Sequence, residues 1–228
     1  MTDEAHSMQE LWTTVDRYLT GLFVPPDSVL DTTLKASEHA GLPAINVSPP
    51  QGKLLHLLAR IHGAKRILEI GTLGGYSTIW LARALPRDGR LVTLEANESH
   101  AEVARANIAR AHLDAMVEVR VGRALDTLPR LETEGLAPFD LIFIDADKES
   151  IPQYFEWSLR LSRVGTVIVV DNVVRNGDVA NQESTDPRVQ GVRRFNEAAA
   201  AEPRVSVTAI QTVGGKGYDG FALAVVVA

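Results

Sequence analysis

The stretch "DLIFIDADKES" (140–150) is an apolar run that ends on Asp145, Asp147 and Lys148. A second run, "GTVIVVDNV" (165–173), ends in the same manner on Asp171 and Asn172. Asp145, Asp171 and Asn172 offer oxygen donors only, a set that selects a hard cation, Mg²⁺ first, with Mn²⁺ or Ca²⁺ as alternatives. Three such ligands leave about three positions of an octahedral ion for water or substrate. That chemistry requires the two runs to lie side by side. The same residues also have a purely structural reading, in which Asp171–Asn172 turns the chain and Asp145 caps the next helix.

Other apolar runs end on acids and glycines too. "RILEIG" (66–71) leads into "TLGGYS", supplying Gly71, Gly74 and Gly75 for close backbone approach to a ligand, with Glu69 just inside the run. Leu73 stands where the G-x-G-x-x-G dinucleotide fingerprint needs a second glycine. Glu69 at the strand end is expected to face a ligand directly, which suits a cationic group better than a pyrophosphate. "RLVTLEAN" (90–97) ends on Glu95, placed to accept both hydroxyls of a ribose. A nucleoside with positive charge and no phosphate fits both acids, namely S-adenosylmethionine with its ammonium and sulfonium.

The elements that must position these residues follow from periodicity. "SMQELWTTVDRYLTGLF" puts Leu11, Val15, Tyr18, Leu19 and Leu22 on one helical face. Asp27 opens a second helix that stops at Gly41, and Ser48 opens a third that stops at Gly63. From residue 66 strands and helices alternate. Strands are expected over 66–71, 90–97, 116–122, 139–146 and 165–173, and helices over 76–85, 99–113, 124–131 and 150–162. A further helix begins at Asp186 and stops at Pro203, and two final strands flank the turn "GGKGYDG". The expectation is an α/β fold: a seven-stranded, mostly parallel sheet with helices on both faces and an antiparallel terminal hairpin. The polar segment 175–186 reads as a mobile loop. In open sheets of this kind ligands bind at the carboxyl ends of the strands, where all these acids stand.

Composition narrows the function classes. The 228 residues suit one domain, with a helical cap over 1–65 and an α/β core over 66–228. A net charge of -6 weighs against general nucleic-acid binding. The absence of cysteine removes disulfides, thiolate metal sites and Cys nucleophiles. No apolar run approaches the roughly 20 residues a membrane span needs, and the acidic N-terminus has no signal-peptide character. The expected location is the cytoplasm.

Taken together, "EIGTLGGYS", "VTLEAN", "FIDADK", "VVDNVV" and "KGYDGFALA" resemble the cation-dependent O-methyltransferases, the class containing the catechol and caffeoyl-CoA O-methyltransferases. The resemblance runs from about "VSPPQGK" to the C-terminus and implies a Rossmann-like, S-adenosylmethionine-dependent methyltransferase fold. It implies that the donor's amino-acid part lies on Glu69, Gly71, Thr72 and Ser77, its ribose on Glu95, and its adenine against the backbone of Ala124. Val47 and Asp145 complete the implied donor contacts, and Arg123 departs from the acid or neutral residue of many relatives. Asp145, Asp171 and Asn172 are the implied metal ligands, and Lys148 matches the family's catalytic lysine. Asp147 would bind substrate or orient Lys148. Tyr154 and Trp157 read as core packing, and the histidines show no metal-ligand spacing.

The chemistry so implied is methylation of a vicinal aromatic diol. A phenol with a pKa near 10 is ionised about one part in a thousand at pH 7, and bringing that pKa to 7 takes roughly 4 kcal/mol. A divalent ion can supply this as a Lewis acid and template. Lys148 would act as base if its pKa is depressed, or stabilise the phenolate if it stays protonated. Competing readings are a tRNA methyltransferase acting on hydroxylated uridine, a nicotinamide-dependent oxidoreductase, and a non-catalytic binding module. An apolar C-terminal strand, "FALAVVVA", and the habit of the family point to a homodimer.

Overall fold

The computed structural model describes residues 3–228, with side chains from His6, so the start of the expected N-terminal segment lies outside the described residues. Three helices, α1 (Asp3–Phe23), α2 (Ser28–His39) and α3 (Pro49–His62), precede the sheet. Their boundaries follow from capping chemistry. Asp27 Oδ1 accepts from the amides of Val29 and Leu30 at 3.0 Å. Ser48 caps α3, whose first turn tolerates prolines, and Gly63 ends it in the left-handed region at φ 69°.

The alternating part begins with β1 (Arg66–Ile70), α4 (Tyr76–Ala82), β2 (Arg90–Glu95), α5 (Glu98–Arg110), β3 (Val117–Val121) and α6 (Ala124–Thr133). It continues with β4 (Leu141–Ile144), α7 (Ile151–Arg160), β5 (Val167–Asp171) and α8 (Pro187–Ala201), and closes with β6 (Val205–Gly214) and β7 (Gly217–Val226). The sheet order is β3-β2-β1-β4-β5-β7-β6. The first five of these strands run parallel, and β7 is antiparallel to both β5 and β6. The expected seven-stranded sheet is therefore present.

Two apolar layers clamp the sheet. On one face Leu128, Leu131, Phe155 and Phe195 pack against Leu68, Ile142 and Ile144. On the other, Leu55, Ile79, Trp80 and Ile108 pack against Ile67, Leu141 and Phe143. Both sides of the central strands are thus dry, which explains why they read as continuous apolar runs and not as alternating ones.

Register then delivers the strand ends together. Ile70 pairs with Leu94 and with Ile144, and Ile144 pairs with Val170. Residues 71, 95, 145 and 171 therefore emerge abreast at one edge. The strand order reverses between β1 and β4, the position at which such sheets open a crevice.

Two local expectations are revised, and one helix face is left uncovered. The helix expected over 150–162 begins with a 3₁₀ turn, Lys148–Ser150, ahead of α7. The segment 175–186, expected to be a polar loop without regular structure, carries 3₁₀ turns over Arg175–Ala180. Asp178 ties it down by accepting from Asn181 Nδ2 at 3.0 Å and Ser184 Oγ at 2.7 Å. The apolar face of α1 is exposed: α1 lies along β6 and α3, with Gln9 and Asp16 bonded to Gly214 and Gly215, and Leu11 and Tyr18 are 58% and 66% accessible. Among the described residues no helix is long and apolar enough to cross a membrane.

Candidate active site

Two cavities meet at the carboxyl edge of the sheet. The first, about 600 Å³, is lined by Gly71, Thr72, Ser77, Glu95, Ala124 and Asp145, together with Lys148 and Tyr154. The second, about 690 Å³, lies beside Gln51, Asp171, Lys216 and Tyr218. Ile45, Asn46, Val47, Asn172 and Arg175 line both. Every residue expected to touch the donor lines the first cavity except Glu69.

Glu69 corrects one expectation. Its carboxylate does not face a ligand but is fully buried, accepting from Ser77 Oγ at 2.6 Å, Thr78 Oγ1 at 2.5 Å and Thr93 Oγ1 at 2.7 Å. Burial pushes its pKa up to about 7 even though the three hydroxyls oppose the shift, and the charge of Asp145 adds to it. Glu69 thus fixes Ser77, which does reach the cavity, and acts on the site at one remove.

The glycines also have a different reason from the one expected. A Cβ on Gly71 would lie 2.1 Å from the carbonyl oxygen of Asp145, and one on Gly74 would lie 2.1 Å from Ser37 Oγ. The close approach at both positions is to the protein itself. Gly75 opens α4 from the left-handed region, at φ 84°.

Glu95 has two tasks. Its Oε2 accepts from the amides of Thr72 (3.3 Å) and Leu73 (2.8 Å), and its Oε1 accepts from the amide of Asn97 at 2.9 Å. The carboxylate shapes the turn after β1 and still lines the cavity, leaving lone pairs for a diol. Ala124 follows Gly122 at the end of β3 and lines the same cavity.

At the junction of β4 and β5, Lys148 Nζ donates to Asp145 Oδ1 at 2.8 Å. Asp147 does not orient Lys148; it caps the 3₁₀ turn through the Ser150 amide and accepts from the Tyr154 hydroxyl. Tyr154 is core packing as expected, with its hydroxyl at the cavity edge, while Trp157 is half-buried under the Arg160 guanidinium. Asp171 is buried, its Oδ2 accepting from Gln51 Nε2 at 2.7 Å and its Oδ1 from the amide of Asn172 at 2.9 Å. Burial, and next the nearby charge of Asp145, holds its carboxyl well above the usual carboxylate range.

This arrangement fits a divalent cation. Asp145 and Asp171 concentrate negative charge in a sparsely solvated place, with Lys148 and Lys216 as the nearby positive charges, and a doubly charged ion would relieve the remaining repulsion. Among the described residues no cluster of three or more Asp, Glu and His side chains forms a metal site. The third candidate ligand here is an amide, Asn172, held at φ 60°. Asp145, Asp171 and Asn172 would hold the ion.

Gln51 was not legible beforehand. It sits in "SPPQGK", which signals only a helix start, 120 residues from the carboxylate it touches. Lys216, in the hairpin turn, likewise donates across the fold to the carbonyls of Ala44 (3.2 Å) and Asn46.

The sheet order, the crevice at its reversal and the acid at the end of β2 define the architecture of class I methyltransferases. The family profile described as O-methyltransferase matches residues 25–225. The catechol O-methyltransferase of Niastella koreensis is 54% identical over 217 residues, covering 95% of this chain and 98% of that protein. The catechol O-methyltransferase of Mycobacterium tuberculosis is 54% identical over 212 residues, 93% of this chain and 94% of that one. The crystal structure of an O-methyltransferase from Bacillus cereus in complex with SAH superposes with a TM-score of 0.95 at 62% identity, covering 96% of this chain and all of that one. The O-methyltransferase TomG from Streptomyces achromogenes, in complex with SAM, gives 0.94 at 55%, with both chains fully covered. The chain belongs to the O-methyltransferase family, and with it to the S-adenosylmethionine-dependent enzymes.

Proposed function

We propose that this protein, acting as one methyltransferase unit over its whole length, transfers a methyl group from S-adenosylmethionine to one hydroxyl of a vicinal-dihydroxy aromatic molecule. The transfer depends on a divalent cation, Mg²⁺ before Mn²⁺ or Ca²⁺. The observation that carries this reading is the position of Asn172 and of the Asp145–Lys148 pair, at the meeting of a donor-type cavity with a second cavity beside Asp171. The catechol O-methyltransferases at 54% identity support it.

A divalent ion held by Asp145, Asp171 and Asn172 would supply Lewis acidity toward a phenol whose pKa is otherwise near 10. The chain's own residues do the rest. Lys148, ion-paired at 2.8 Å, serves as an ammonium that stabilises the phenolate by charge. Gln51 fixes one oxygen of Asp171. Glu95 would accept the donor's ribose hydroxyls, and Ser77, Thr72, Gly71, Val47 and Ala124 would shape the remainder of its pocket. The acceptor oxygen bonds the methyl carbon as the carbon–sulfur bond breaks, and the phenol proton leaves to solvent. Holding both partners at one edge makes the encounter a positioned one.

Turnover of a catechol by purified protein should vanish with excess chelator and return with Mg²⁺. Full activity in chelator would sink the metal reading. We also propose a homodimer through the apolar face of α1, where Leu11, Val15, Tyr18, Leu19 and Leu22 are exposed together.

A further inference from the structure

We propose that Arg175 pairs with a carboxylate on the acceptor, so that the preferred substrate is an aromatic vicinal diol bearing an acid group. The proposal rests on the function proposed above and adds the chemistry at the far end of the acceptor.

Four cationic side chains line the two cavities: Lys148, Arg175, Arg188 and Lys216. Three are engaged. Lys148 donates to Asp145 at 2.8 Å, Arg188 Nη2 to Asp186 at 2.7 Å, and Lys216 to two backbone carbonyls. The Arg175 guanidinium makes no hydrogen bond within the described residues. Its closest acid is Asp219, with Nη1 and Oδ2 3.7 Å apart, and its Nε is buried with no partner at all. Leaving a buried N–H such as this Nε unmatched is costly, and native proteins do so rarely without a ligand or solvent role.

The backbone is arranged to keep the side chain there. Arg175 and Asn176 both adopt the left-handed region, at φ 55° and 56°, which non-glycine residues occupy at a cost. Asp219 Oδ1 holds the turn by accepting from the amides of Val174 and Arg175, each at 3.0 Å. Oδ1 is therefore committed to main chain, and Oδ2 faces the guanidinium at 3.7 Å, an ion pair beyond hydrogen-bond length. Arg175 is also three residues beyond Asn172, and both line both cavities. A diol engaged at Asn172 would thus leave its ring substituent beside the Arg175 wall. The planar guanidinium fork matches a carboxylate through two parallel bonds, a match that an amine or a neutral amide does not offer.

The test measures kcat/KM with saturating Mg²⁺ and S-adenosylmethionine for protocatechuate and caffeate, each beside its primary amide. At least one acid should exceed its amide by about tenfold or more, chiefly through KM. Arg175→Met should bring that ratio close to one, and Arg175→Lys should keep part of it; Arg175→Gln replaces the Met variant if that chain does not fold. Equal use of acid and amide by the wild-type enzyme in both pairs would overturn the pairing alone, as would a ratio that Arg175→Met leaves unchanged. Methylation of none of the four would overturn the proposed function, and this proposal with it.

Discussion

Glu69 and Glu95, on the β1–β2 side, and Asp145 and Asp171, on the β4–β5 side, stand at one sheet edge and differ by at most one methylene in side-chain chemistry. Their surroundings differ sharply. Glu69 is surrounded by three hydroxyl donors and Glu95 by three backbone amides. Asp145 and Asp171 face each other's charge, with Lys148 and Gln51 as side-chain donors between them. The first pair is satisfied by the protein and builds the walls of a pocket. The second pair has fewer donors and holds two acids close together in a buried place, which is the repulsion a cation would relieve. A carboxylate's role at such an edge is decided by the donors around it and not by its own type.

The largest expected effect breaks the contrast on the β4–β5 side. Asp171→Ala should lower turnover by at least about a hundredfold, because it removes a candidate metal ligand. It should leave thermal stability unchanged or raised, because a buried like-charge repulsion goes with it. Retained turnover, or collapse of the fold, would show that Asp171 belongs with the structural acids. A matched comparison sharpens the point: a catechol should exceed its monohydroxy analogue by about a hundredfold in kcat/KM if the second oxygen contributes about 3 kcal/mol of positioning. Equal rates would rule out a chelated acceptor.

Next in size is a pH effect on the β1–β2 side. Burial pushes the Glu69 carboxyl up to about 7 in the fold, against an ordinary value of 4.5. The folded chain therefore holds that proton more tightly than the unfolded chain. This group's contribution favours the fold most below about pH 4.5 and is lost as pH rises toward 7, a change of about 3 kcal/mol. Glu69→Gln should flatten that part of the profile in denaturant titrations. An identical slope in the variant would mean that Glu69 is ionised throughout.

Smaller again is the loss at Glu95. Glu95→Gln should weaken S-adenosylmethionine binding by roughly 1.5–3 kcal/mol, since charge-assisted bonds to a ribose would be lost. Mg²⁺ binding should be unaffected. Unchanged donor affinity by calorimetry would confine Glu95 to shaping the turn after β1. The smallest effect concerns α1. Light scattering at micromolar concentration should give twice the 24.8 kDa chain mass, and Tyr18→Ser should shift the equilibrium toward monomer by about tenfold. A monomer at all concentrations would leave the α1 face without a second copy.

Much of this was legible in the sequence, for physical reasons that differ from residue to residue. Strands buried on both faces read as mainly apolar runs, so "RILEI", "LIFI" and "VIVVD" announced themselves, and the Gly, Asp or Asn after each marked the edge. Asp27, Ser48 and Asp186 named their helix starts because capping is local. The adjacency of Asp145 and Asp171 was conditional on β4 and β5 being neighbours, and the sheet order supplies that condition. Local rules cannot see what approaches from far along the chain. Gly71 is glycine because the Asp145 backbone crosses it, and Glu69 is consumed because Thr93 and the start of α4 close over it. Arg175 keeps a buried Nε without a partner because Asp219, 44 residues away, spends Oδ1 on backbone amides and meets the guanidinium only at 3.7 Å. The sequence by itself determined the elements, their caps and the list of acids at the active edge, since all of these depend on a residue and its near neighbours. Which acid is surrounded by donors and which faces another acid was decided only by the tertiary structure, because hydrogen-bond satisfaction in a buried place depends on every group that packs there.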